Sequence, residues 1–112
     1  MECLFNCCYI LKEIKGLDKF NTSKVTNMRG MFQFCFEIKK LDLSNFDISN
    51  ISNISHMFNK CNKLNEITRI GKSTTGKIIS MKSMFQACYE LKYLDLTNFN
   101  TSNVIDMSTL FN

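Results

Sequence analysis

A chain of 112 residues with 45% apolar composition has enough apolar side chains for one packed core and too many for a disordered segment. Its formal charge of +4, from 14 basic and 10 acidic residues with no long run of one sign, excludes a polycationic nucleic-acid track. No stretch approaches the roughly 18 apolar residues of a membrane span, and the N-terminus lacks the basic start of a signal peptide, with Glu2 ahead of its apolar run.

One stretch, Met31–Phe46, organises the rest. It recurs as Met57–Ser73 and Met84–Phe99, and more loosely as Leu4–Phe20. The Met-Phe or Leu-Phe pair that opens it stands at Leu4, Met31, Met57, Met84 and Leu110, a step of 26 or 27 residues. A fixed period in this range is the signature of stacked units that bury one another's apolar stripes.

In chain order, the first unit carries one extra residue between Ile14 and Phe20, which Gly16 can absorb as a bulge. The second has apolar residues at Val25, Met28, Phe32 and Cys35, a spacing that predicts one helical face. Ser23, Ser49 and Ser102 precede such runs and read as helix N-caps. After the helix, Ile38, Leu41 and Leu43 give L-x-x-L-x-L, alternating with Lys40, Asp42 and Ser44 as a short strand does. The third unit is worn: Ile70-Gly71-Lys72-Ser73 replaces the Leu-Ser-Asn-Phe segment, and Gly71 and Gly76 predict a loose loop. Read down the units, the inward columns include Val25/Ile51/Ile78/Val104, Phe5/Phe32/Phe58/Phe85/Phe111 and Cys8/Cys35/Cys61/Cys88. Their burial is the expected dominant stabilising contribution.

The L-x-x-L-x-L core resembles a leucine-rich repeat, except that Phe20, Phe46 and Phe99 stand where its Asn ladder would be. The longer strings Leu41–Cys61 and Leu94–Phe111 resemble the BspA-like leucine-rich-repeat surface proteins, and the resemblance covers the whole chain. It implies adhesion at a cell surface. The expected fold is therefore an α/β solenoid, a leucine-rich-repeat array with one short parallel strand and one helix per 26–27 residue repeat, with residues 1–112 as a single domain of about four repeats in a longer array.

Chemistry-bearing motifs read blandly. Four of six cysteines are the repeat's own column, spaced for register, and are expected as free thiols because their Cβ vectors point the same way. With one His and no C-x-x-C there is no zinc pattern, and no metal or cofactor is expected. Gly71-Lys72-Ser73-Thr74 ends like a phosphate loop, but Glu66 stands where its first glycine belongs. His56 reads as a surface residue without a catalytic partner, and the several N-x-S matches arise freely in an Asn/Ser-rich chain.

The functional expectation is a non-enzymatic protein-binding or adhesion module, with an intracellular leucine-rich-repeat scaffold as the alternative. The partner is expected to be a protein ligand rather than nucleic acid, with self-association through uncapped ends as a further mode. The location would be the cell surface if the chain belongs to a longer exported protein, otherwise the cytoplasm. The candidate partner-binding face comprises the outward strand positions: Glu13 and Lys15; Lys40, Asp42 and Ser44; Glu66 and Thr68; and Tyr93, Asp95 and Thr97.

Overall fold

Left-handed residues, placed four apart, set the course of this chain. The computed structural model describes residues 1–112. Positive φ occurs at Cys3 and Cys7, Gly30 and Phe34, His56 and Lys60, Ser83 and Ala87, with values of 53° to 62°. From Gly30 to Ala87, each of these is the third residue of a hydrogen-bonded turn, the position at which a type II turn requires positive φ. Met31 N–H donates to Met28 O and Cys35 N–H to Phe32 O, both at 3.2 Å, and the same pair recurs at Met57/Ile54 and Cys61/Phe58.

These turns correct the expected architecture. There is no α-helix: the only helical element is a single 3-10 turn, Leu17–Lys19, entered through left-handed Gly16. An α-helix needs N–H groups that reach back four residues. Here the N–H groups of Met28, Gly30, Phe32 and Phe34 go instead to Asn53, Ser55, Met57 and Asn59, each at 2.9 Å. The predicted N-caps are also reversed. Ser23, Ser49 and Ser102 donate their N–H to Asn21, Asp47 and Asn100 in turns, rather than accepting from a helix. The molecule measures 33 × 31 × 23 Å with a radius of gyration of 12.6 Å, close to the roughly 13 Å of any globule this long. A compact globule with no helix is not a helix-per-repeat solenoid, and the expected leucine-rich-repeat architecture is overturned.

The strand expectation fares better locally. β1 (Lys40–Leu43), β2 (Glu66–Ile70) and β3 (Tyr93–Leu94) form an open parallel sheet in that order. Lys40 lies opposite Glu66 and Glu66 opposite Tyr93, while Leu41, Ile67 and Leu94 align beneath them. The register slips between Leu41 and Leu43, because β2 spends an extra residue before Ile70. No strand forms in the first unit, where Leu17 packs against β1 from the 3-10 turn instead.

Between turns and sheet lies one cluster of 22 buried apolar residues running from Leu17 to Phe85. The rings of Phe5, Phe32, Phe58, Phe85 and Phe111 stack in sequence at 5.4–5.7 Å, nearly parallel. Beside them runs an amide ladder: Gln33 donates to Asn59 at 3.1 Å, and Asn59 to Gln86 at 2.9 Å. The glycine loop expected to be loose is tied down. Gly71 N–H bonds Leu43 O, Lys72 N–H bonds Phe46 O, and Thr75 is buried under Asn98 and Asn100.

Candidate functional site

The exposed face of the sheet carries part of the expected partner surface. Lys40 and Glu66, register partners on β1 and β2, close an ion pair at 2.7 Å. Both side chains are substantially exposed, so the pair orients the row more than it stabilises it. Tyr93 continues that row on β3 with 59% of its surface exposed. Beside it a hollow of about 310 Å³ is lined by Phe85, Tyr89, Leu91, Leu94 and Phe111.

The remaining candidates fall around this row. Asp42 faces out between buried Leu41 and Leu43, and its carboxylate accepts the Ser44 N–H at 2.9 Å, which places Ser44 in the turn after β1. Hydrogen bonding from the Ser44 hydroxyl, and then from its N–H, holds the Asp42 carboxyl below its ordinary range. Asp95 repeats the arrangement with Thr97 beyond β3 and is held low by the same kinds of bond. Thr68 is exposed on β2. Glu13 and Lys15 pair with each other at 3.5 Å, outside the sheet.

One residue of this face is absent from the sequence-based set. Arg69 is exposed next to Thr68 and donates to Asn98 at 3.2 Å. Its signal was the spacing of inward residues: Leu41/Leu43 and Leu94/Leu96 are two apart, Ile67/Ile70 three, so β2 must turn two consecutive side chains outward.

The other motifs resolve into structure. Cys35, Cys61 and Cys88 are thiols that donate to the carbonyls of Phe5, Phe32 and Phe58 at 3.1 Å. Burial pushes the Cys35 and Cys88 thiols up to about 12 and Cys61 higher still, so none is a ready nucleophile. Gly71–Thr74 forms no cradle: Gly71 is pressed against Ile48 and Ser73 donates to Asp47 at 2.7 Å. His56 is half-buried rather than on the surface, its Nδ1 without a hydrogen-bond partner. Desolvation first, then Arg29 and Lys82, lower its pKa.

A family model described as "Mycoplasma protein of unknown function, DUF285" matches residues 1–112. The chain belongs to that family. No curated protein and no solved structure matches it. For this member of the family, no helix is long and apolar enough to cross a membrane.

Proposed function

We propose that this chain is a non-catalytic protein-binding module, of the adhesive kind found in BspA-like surface proteins. The observation that carries the reading is the Lys40–Glu66–Tyr93 row, held in register on an exposed parallel sheet with an apolar hollow beside its aromatic end. A partly exposed tyrosine over such a hollow is the usual anchor of an interface, and the flanking charges supply its polar rim. The resemblance of Leu41–Cys61 and Leu94–Phe111 to BspA-like proteins supports adhesion at a cell surface.

The test is binding of the labelled chain to intact cells, before and after surface proteolysis. Binding should be lost on proteolysis and on joint change of Lys40, Asp42, Tyr93 and Asp95 to Ala. It should survive Ala at Lys24 and Lys82, which lie outside the sheet. If the second set abolishes binding and the first does not, the sheet face is not the site.

A further inference from the structure

Away from the sheet, the outer side of the turns carries a second surface of different chemistry. Tyr9 stacks on Phe36 with ring centroids 5.3 Å apart, and Phe36 meets Phe34 edge-on at 6.2 Å. Lys60 Nζ sits 5.2 Å over the Phe34 ring. Ile10 projects beside Tyr9 and is 85% exposed. Residues Cys7 to Glu13 line a shallow, mostly apolar hollow there.

Ile10 is not demanded by the fold. One sequence period further on, the same place is taken by Glu37, then Lys63, then Glu90, all charged. Ile10 thus adds aliphatic surface to the adjoining Tyr9, Phe36 and Phe34 rings, and a contiguous apolar patch rimmed by charge marks an interaction site.

Its surroundings are cationic. Lys12 lines both the apolar hollow and an adjoining polar one shared with Glu37, Lys39 and Lys63. Lys63 is spent on Glu37 at 2.8 Å, and Glu13 on Lys15. Lys12, Lys39 and Lys60 enter no ion pair. The hydrogen bond from Lys63, and the charges of Lys63, Lys12 and Lys39, hold the Glu37 carboxyl below its ordinary range, which marks the local field as positive.

We propose that this turn surface docks on an anionic lipid bilayer, with Ile10 entering the headgroup boundary, Tyr9, Phe34 and Phe36 lying at headgroup depth, and Lys12, Lys39 and Lys60 on lipid phosphates. Aromatic rings and long amphipathic lysines around an aliphatic tip match the polarity gradient of a bilayer surface. A nucleic acid would engage the lysines and leave Ile10 in water. None of these residues belongs to the Lys40–Glu66–Tyr93 row, so the proposal stands independently of the protein-binding reading.

The experiment is flotation of the full chain with vesicles of phosphatidylcholine alone and of phosphatidylcholine with about one-third phosphatidylglycerol. Binding should require the anionic lipid and weaken with salt. The Lys12→Gln, Lys39→Gln, Lys60→Asn combination should reduce it by about a hundredfold, at roughly fivefold per lysine. Ile10→Asp should reduce it about tenfold, and Tyr93→Ala should leave it unchanged. Far-UV circular dichroism of each variant checks folding, which these exposed positions should not disturb. Equal binding to both vesicles overturns the proposal. So does full binding by Ile10→Asp, which with retained heparin binding would assign the lysines to a soluble polyanion instead.

Discussion

Between Met28 and Phe34 four N–H groups reach the neighbouring segment at one distance, 2.9 Å, and between Ile54 and Lys60 four more do so at 2.8–3.1 Å. The sheet across the core joins the same segments less evenly: β1 and β2 slip register by one residue, and β3 is two residues long. The turn bonds span 25 or 26 residues and the sheet pairs 26 or 27, but the turns keep one spacing along each pair of segments while the sheet absorbs an extra residue at Ile70. The difference lies in how each is specified. Left-handed positions four apart fix every peptide's direction, whereas a parallel ladder only requires that inward and outward residues alternate. Regularity is needed where the phenylalanines stack, and variation is free where the surface faces solvent.

The sharpest break of this comparison is Phe58→Ala. The ring is fully buried between Phe32 at 5.7 Å and Phe85 at 5.5 Å, so the loss should be about 3–5 kcal/mol, read from urea unfolding. Tyr93→Ala on the exposed row should stay within about 0.5 kcal/mol. A Phe58 variant less than about 1 kcal/mol weaker than the parent would show that the ring stack does not organise the core.

Gly71→Ala comes next, on the sheet side. Gly71 has φ +80°, and a Cβ there would stand 2.5 Å from the Cδ1 of buried Ile48. A cost of about 2–3 kcal/mol is expected, from backbone strain and overpacking together. Gly76 has open space around it, so Gly76→Ala should be neutral or slightly stabilising, by about 0.5 kcal/mol. Similar effects at the two glycines would mean that this segment is not pinned.

Within the turns, the test is at Lys60, exposed with φ 60°. Lys60→Val should cost about 1–2 kcal/mol, since a β-branched residue is a poor left-handed one. Lys60→Gly should be close to neutral, relief of strain offsetting the greater freedom of the unfolded chain. Thermal unfolding of the two side by side decides it; a Gly variant as damaged as the Val variant would deny that φ is what this position selects.

These positions also show where the sequence stopped being legible. The column Cys3, Gly30, His56, Ser83 and Thr109 was visible as a column, but only Gly30 advertises the positive φ that all five share. Successive turns bring a residue inward every three or four positions, as a helix does, so Val25, Met28, Phe32 and Cys35 could not distinguish the two. The strands at Leu41 and Leu94 were legible because period two has no such double. The Lys40–Glu66–Tyr93 row followed from them, while Glu13 and Lys15 did not, since their unit replaces the strand with a 3-10 turn. The amide ladder Gln33–Asn59–Gln86 lay one residue past the Phe column, away from where a leucine-rich repeat would keep its asparagines.

The smallest effect concerns acid. Asp47 accepts hydrogen bonds from the Ser49 and Ser73 hydroxyls and the Ser49 N–H, which, helped by Lys72, hold its carboxyl down to about 2. A depressed folded-state pKa contributes stability that is fully present above the unfolded value of roughly 3.9, and lost as pH falls towards the folded one. Asp42, Asp95 and Asp106 shift in the same direction, so the parent chain should weaken steadily from about pH 4 down to pH 2. Asp47→Asn removes one of these titrations and leaves the turn intact, because Asn21 and Asn100 already hold the Ser23 and Ser102 N–H in the matching turns. The variant should therefore fold at neutral pH and show a shallower fall in its urea midpoint over the acid range. Parallel falls for the two proteins would mean that the Asp47 carboxylate contributes nothing to the acid sensitivity of the fold.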